Sequence, residues 1–254
     1  MKRSRRFFAL LFVTALLLSG CRSSEQGQPF EQLLSKAGNA AEKAAAKQAE
    51  QLTELTGAQI IDFDALQKVN PEIYAWLYIP GTAINAPIAQ SDTSDIGYYQ
   101  SHGPDRSENA QGCLYTHYRY SGKRFEEPVS VIYGKTQTAG GAFAGLEKLY
   151  HSAESLQQHQ EVLLFTADAV LRYRVYCASE FSDVLISREY KEFQTEEKVS
   201  AFLEDLRNYR TLQRQTDDSV RVAADDRLLV LSTILSRDAD KRFLVVAKLV
   251  ENAN

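Results

Sequence analysis

The stretch NPEIYAWLYIPGTAINAPIAQ, residues 70–90, decides the fold class of this 254-residue chain. It contains two short runs, WLYIP at 76–80 and INAPIA at 84–89, separated by a Gly-Thr-Ala sequence. Aromatic and β-branched residues favour strands, and Pro followed by Gly favours a turn. We therefore predict two β-strands here. Trp76 and the Ile-Pro-Gly turn then serve the core and the backbone rather than a site.

Six more runs of the same kind follow along the chain. They are GCLYTHY (112–118), VSVIYG (129–134), EVLLFTAD (161–168), LRYRVYCASEF (171–181), RLLVLSTI (227–234) and RFLVVAKLV (242–250). Together with the first two runs they give about eight strands, which predicts a mainly β domain in the form of a closed barrel or a sandwich.

Two helical segments interrupt the strands. The first is FDALQKVN, which ends before Pro71, and the second covers residues 187–210. In the second segment the apolar residues that share one helical face are Val199, Phe202, Leu203 and Leu206. This segment is long enough to cover one flank of a barrel.

The N-terminus differs in composition from the rest of the chain. MKRSRR is followed by the apolar run FFALLFVTALLL and then by LSGC, which ends at Cys21. A charged start, a short apolar run and small residues predict an export signal. The pattern resembles a bacterial lipoprotein signal, which implies cleavage before Cys21 and lipidation of that residue. An ordinary secretory signal and a membrane anchor are the alternatives.

Residues 22–62 are rich in Ala, Glu, Gln, Lys and Leu, which favour helices. The apolar positions are mostly Ala and can bury little area, so this segment either rests lightly on the domain or stands as a spacer. We therefore predict a signal peptide at 1–20, a lipid-anchored polar and helical tether at 21–61, and a β-barrel domain at 62–254. The barrel would work outside the cytoplasm, anchored to the cell membrane.

Charge and cysteine content exclude several classes of function. The net charge is −4 and the pI is near 5.7, so no broad basic surface exists to bind nucleic acid. No His-Glu-x-x-His or paired-Cys motif is present, and we predict neither a metal nor a cofactor. Cys113 and Cys177 lie in strand-like sequence. We favour two unpaired, packed thiols, with a disulfide as the alternative.

Residues 70–90 resemble the opening of the class B sortases, which are bacterial cell-surface transpeptidases. Further matching motifs follow in the same order: YYQSH (98–102), GCLYTHYR (112–119), VIYGK (131–135), AFAGLEKLY (142–150), LVLSTI (229–234) and RFLVVAKL (242–249). The resemblance implies a sortase-like closed eight-stranded β-barrel with an N-terminal helical segment. It also implies a long helix, at about 187–210, between two late strands.

The resemblance also implies a catalytic Cys, a His and an Arg. At the positions that match the family pattern, this chain has Ile234 for the Cys, Lys135 for the His and Arg242 for the Arg. An Ile side chain has no nucleophilic atom, so a thioacyl intermediate cannot form at residue 234. We therefore expect that no residue here performs the family's catalysis in the family's way.

Three hypotheses remain. In the first, the chain is a non-catalytic surface lipoprotein that binds a peptide or surface protein, such as a pilin or a sorting-signal substrate, through Arg242, Lys135 and Thr233. In the second, it is an active cysteine transpeptidase whose nucleophile is relocated to Cys113, with Lys135 lowering the pKa of that thiol. In the third, it is a scaffold in envelope or pilus assembly that uses another surface, such as residues 187–210.

Overall fold

A computed structural model describes residues 29–47, 51–52, 54–92, 95, 97–136, 142–235 and 237–250. The predicted signal peptide and Cys21 lie outside these residues, so their predicted roles stay predictions. Within the described ranges, no helix combines the length and the hydropathy that a membrane crossing requires.

In the part of the chain that the structure describes, nine strands form one mixed sheet. They are β1 (Ile73–Tyr78), β2 (Asn85–Ala89), β3 (Leu114–Tyr115), β4 (Val129–Tyr133), β5 (Glu161–Thr166), β6 (Val170–Ser182), β7 (Arg214–Thr216), β8 (Leu228–Leu235) and β9 (Asp238–Leu249). Their order is β5-β1-β2-β3-β4-β8-β9-β6-β7, and an additional β5–β6 pairing closes the barrel. Eight strands form the ring and β7 is attached outside it to β6. The predicted closed eight-stranded barrel is confirmed.

The barrel strands are buried on both faces. On β8, Leu229 and Leu231 belong to the cluster inside the barrel, whereas Leu228 and Val230 belong to a second cluster on its outer face. Successive side chains of a strand point to opposite faces, so a strand covered on both sides has an almost continuous apolar sequence. This explains why LLVL and FLVV lack a polar alternation.

The described residues include six helices and three short 3₁₀ turns, which surround the barrel. The helices are α1 (Phe30–Ala45), α2 (Phe63–Val69), α3 (Leu146–Leu149), α4 (Ala153–Gln158), α5 (Ile186–Glu189) and α6 (Glu196–Asn208). The 3₁₀ turns are Gly57–Gln59, Tyr98–Gln100 and Lys191–Phe193. The Asp62 side chain caps α2 by accepting a hydrogen bond from the Ala65 amide at 3.0 Å.

Helix α1 packs on the outside of the barrel, against β1, β2 and α2. Its buried residues are Ala37, Ala41 and Ala44, and the Asn85 amide of β2 donates a hydrogen bond to the Gly38 carbonyl at 3.0 Å. Small side chains let the helix approach the sheet closely while they bury little area. The sequence analysis left open whether this segment rests on the domain or stands as a spacer. The described part rests on the domain.

The predicted long helix at 187–210 is wrong as a continuous element. Helix α5 ends at Glu189, and the turn Lys191–Phe193 has φ values of 49°, 53° and 54°, which no right-handed helix contains. The helix restarts as α6 after Thr195, whose extended backbone marks an N-cap. The predicted apolar face is confirmed, since Val199, Phe202, Leu203 and Leu206 are all buried.

Two other differences from the predicted strands concern length. The run GCLYTHY yields only the two-residue β3, because Gly112 has φ +69° before it and the Tyr120 amide closes a turn on the His117 carbonyl after it. The short strand β7 was not predicted at all. It is half-buried and polar, so its composition carries no strand signal.

Candidate functional site

The three positions that match the family's catalytic residues meet at one end of three adjacent strands. In the β4–β8 pairing Tyr133 lies opposite Ser232, and in the β8–β9 pairing Ile234 lies opposite Arg242. The ladder continues past β4, because the Gly134 amide donates to the Ser232 carbonyl at 3.2 Å. Lys135, the next residue, therefore lies beside the end of β8.

Arg242 is held in place by a carboxylate and an aromatic ring. Its Nε lies 2.7 Å from Asp183 Oδ1, and its guanidinium carbon lies 5.7 Å from the centre of the Tyr133 ring. The side chain is 17% exposed, so part of the guanidinium remains available to a ligand. Asp183 was not among the predicted site residues. It directly follows Ser182 of β6, which pairs with Lys241, and this pairing brings Asp183 next to Arg242.

Lys135 is oriented away from Arg242 by its own hydrogen bond. Its Nζ donates to the Ala110 carbonyl at 3.0 Å, and its backbone carbonyl accepts from the Phe143 amide at 3.2 Å. Ala110 belongs to the segment before β3. The ammonium group therefore lies on the β3 side of the site, whereas the guanidinium lies on the β9 side.

The hydroxyl groups near Ile234 are inaccessible. Ser232 is fully buried and Thr233 is 1% exposed, and neither hydroxyl has a hydrogen-bond partner among the described residues. Thr233 lies opposite Phe243, whose ring belongs to the cluster inside the barrel. Thr233, which the sequence analysis predicts to contact a ligand, is thus buried here, and its role stays a prediction. Ile234 itself is partly exposed.

Buried aromatic side chains fill the outer face beside Arg242. The His117 ring centre lies 4.8 Å from that of Tyr133 and 5.7 Å from that of Tyr115, and His117 is 4% exposed. Burial, assisted by the positive charge of Arg242, lowers the pKa of His117 to about 4. This imidazole is therefore neutral at physiological pH.

Cys113 does not have the properties of a relocated nucleophile. The Tyr115–Tyr133 pairing brings Cys113 and Lys135 to neighbouring strands as predicted, but the lysine is bonded to Ala110. The thiol is buried and lies 3.5 Å from the Pro87 carbonyl. Burial raises the pKa of Cys113 to about 12, which is opposite to the lowering that the relocated-nucleophile hypothesis requires.

Cys177 is also buried, and burial raises the pKa of its thiol to about 11. Cys113 and Cys177 are both free, so the predicted unpaired state is confirmed. Across the described ranges, no group of three or more His, Cys, Asp or Glu side chains is arranged to hold a metal ion.

Comparison with known proteins gives one consistent result. No protein-family model matches the chain. Sortase B of Listeria monocytogenes is 29% identical over 187 residues, which cover 73% of this chain and 72% of that protein. The structure of the Staphylococcus aureus sortase B–substrate complex superposes with a TM-score of 0.67 at 22% identity, covering 88% of this chain and 95% of the other.

A third similar protein is a Streptococcus pyogenes class B sortase involved in pilus biogenesis. Its structure gives a TM-score of 0.62 at 20% identity and covers 75% of this chain and 98% of the other. At these identities the two structures establish a shared barrel fold.

Proposed function

Because the chain is a homologue of the class B sortases, we propose that it is a non-catalytic member that binds an extended peptide at the end of β4, β8 and β9. The Staphylococcus aureus structure is described as a substrate complex, which supports a peptide as the class of ligand. We propose a sorting-signal peptide or a segment of a surface protein as the ligand. The proposal includes a lipid anchor at Cys21, which would hold the barrel outside the cytoplasm.

The observation that carries this proposal is the pairing of Ile234 with Arg242. Acyl transfer needs a nucleophilic atom at the substrate carbonyl, and an aliphatic side chain at the strand end supplies none. The nearby hydroxyls of Ser232 and Thr233 are buried. The free thiols of Cys113 and Cys177 are buried with raised pKa values. No described residue near Ile234 can take over the role of the missing thiol.

What remains at the site is suited to holding a peptide. The guanidinium of Arg242 carries several N–H donors, and Asp183 contacts only its Nε. The remaining donors can bind peptide carbonyls or a carboxylate. Lys135 adds a second cation on the other side of β8, and Ile234 between them offers an apolar contact. A peptide could therefore be held by its backbone and charge without covalent attachment.

The test is the affinity of the folded chain for a fluorescent sorting-signal peptide, measured by anisotropy, with mass spectrometry of the peptide afterwards. We expect Arg242→Ala to weaken binding about tenfold, because charged hydrogen bonds are lost. The affinity of Arg242→Lys should lie between those of the unchanged protein and Arg242→Ala, since this variant keeps the charge but loses the planar donors. The peptide should remain intact throughout.

The matched control is Lys241→Ala, which removes a neighbouring cation on β9 that is paired with Asp238. The Lys241 side chain points to the face of the strand opposite to Arg242, so the Lys241→Ala variant should bind the peptide as the unchanged protein does. Cleavage of the peptide by the unchanged protein would refute the non-catalytic role. Equal affinities of Arg242→Ala and Lys241→Ala would refute the role of Arg242.

A further inference from the structure

A cavity lies between α1 and the barrel, away from the β8–β9 end. This groove has a volume of about 700 Å³. One wall is a face of α1, the floor includes Trp76 and Cys113, and the far wall includes Pro87 and Gln111. Sequence reasoning gave α1 no function beyond that of a tether.

The α1 wall is a regular stripe of exposed polar side chains. Glu31, Ser35, Asn39 and Glu42 line the groove and are all exposed. Glu42 lies eleven positions after Glu31, which corresponds to about three turns of helix, so both carboxylates share one face. The rise of 1.5 Å per residue separates their positions by about 16 Å along the groove.

The groove is held open by contacts that fix α1 to the sheet. The Trp76 Nε1 donates to Asn85 Oδ1 at 2.6 Å, and Asn85 Nδ2 donates to the Gly38 carbonyl at 3.0 Å. A Cβ at Gly38 would lie 3.3 Å from the Asn85 amide, so the absence of a side chain there permits the close approach. The distance between the two walls is therefore set by the fold rather than by a ligand.

The charge of the groove is one-sided. Glu31 and Glu42 form no ion pair with any described residue, and no Lys, Arg or His is among the residues that line the cavity. Lys135 lies near its margin, but its ammonium is bonded to the Ala110 carbonyl. Two free carboxylates facing a preformed groove favour a cationic ligand.

We propose that this groove binds an extended peptide segment with two cationic side chains four residues apart. Side chains of an extended chain alternate between two faces and the chain rises about 3.3 Å per residue, so four steps place both cations on one face about 13 Å apart, and the long cationic side chains cover the remaining distance to the two carboxylates. The exposed Ser35 and Asn39 between them offer hydrogen bonds to the peptide backbone. This inference is independent of the proposed function, because neither Ile234 nor Arg242 lines the groove.

The test uses two capped pentapeptides of equal composition on the full chain. In one, Lys-Ser-Ala-Ser-Lys, the lysines are four steps apart, and in the other, Ser-Lys-Lys-Ala-Ser, they are adjacent. We expect Glu31→Gln with Glu42→Gln to weaken binding of the spaced peptide about fivefold or more at low salt. The spaced peptide should bind more tightly than the adjacent one, and added salt should remove most of the difference.

Two further variants make the result specific. Glu197→Gln with Glu204→Gln removes the same charge from exposed positions of α6 and should leave the affinity unchanged. Ser35→Trp places a bulky side chain on the exposed α1 wall and should abolish binding without charge removal. The proposal is overturned if the spaced peptide does not bind, if both peptides bind equally, or if both double variants weaken binding equally.

Discussion

The end of β4, β8 and β9 and the α1 groove differ in what their polar groups already contact. At the strand end, Arg242 is paired with Asp183 and Lys135 is bonded to Ala110, and buried aromatic rings fill the adjoining face. In the groove, Glu31 and Glu42 are exposed and unpaired. At the strand end both cations therefore have a partner, although the buried Ser232 and Thr233 hydroxyls do not, whereas the two carboxylates of the groove have none among the described residues.

This difference teaches that positions fixed by the core and charges left open to a ligand can lie in different parts of one fold. The barrel register fixes the neighbours of Ile234, because the same pairing also builds the core. The α1 face is under no such constraint, since its exposed residues contribute little to burial. The groove thus offers charge that no described residue engages, whereas the strand end offers donors that Asp183 engages in part.

Cys113 stands between the two regions, and its reactivity gives the largest expected effect. A pKa raised from 9.0 to about 12 reduces the thiolate fraction about 1000-fold at a given pH. Site-resolved alkylation with iodoacetamide at pH 8 should therefore label Cys113 far more slowly than an exposed reference thiol introduced by Ser200→Cys. Equal labelling rates would reopen the relocated-nucleophile hypothesis.

Restoring the family residues tests whether the strand end keeps its catalytic geometry. Lys135→His with Ile234→Cys places a base and a thiol beside Arg242, and we expect cleavage of a sorting-signal peptide at least about 100-fold above the unchanged chain. Mass spectrometry should detect the acyl-enzyme. Lys135→Gln with Ile234→Cys is the control, and should react more slowly because it lacks the base. Absence of any acyl adduct would mean that the strand end does not bind the peptide productively.

The smallest expected effect is the contribution of His117 to the pH dependence of stability. It tests whether the aromatic cluster around His117 is closed to water in the folded protein. Its folded pKa of about 4 lies below the ordinary value of 6.5, so between these pH values the unfolded chain binds the proton more readily. Protonation thus favours unfolding, and the free energy of unfolding should fall by about 2 kcal/mol as the pH drops through this window.

Urea unfolding at several pH values would measure this loss. His117→Phe should remove that part of the pH dependence, whatever its effect on stability at pH 7. His151→Gln changes an exposed histidine and should leave the pH dependence as it was. An unchanged slope in His117→Phe would show that the ring is accessible to water in the folded protein.

The barrel was predictable because each strand is indicated by the composition of a short run of residues, and such runs recur along the chain. Runs such as LVLSTI and RFLVVAKL consist mostly of β-branched and aliphatic residues, and this composition indicates strands whichever strands pair with one another. The break in the helix at 187–210 was less predictable. Three residues with positive φ, Lys191, Glu192 and Phe193, break the helix at 187–210 although none is a Gly. Only Thr195 before two glutamates hinted at a new helix start.

The candidate sites divide in the same way. Ile234, Lys135 and Arg242 could be found because they occupy motif positions. The partner Asp183 and the groove residue Glu42 could not, because their importance depends on which distant segments lie against them. Asp183 matters through the β6–β9 pairing, and Glu42 through the docking of α1 on β2. Such long-range contacts leave no periodic pattern in the sequence.

Closure of the barrel limits how any partner can attach. A chain that recognises peptides by strand addition needs an unpaired sheet edge, where main-chain groups give affinity regardless of sequence. Among the described strands only the three-residue β7 ends the sheet, because β5 and β6 seal the ring. Selectivity must therefore come from side chains on the outer surface, and a ligand with the wrong charges has little backbone affinity to fall back on.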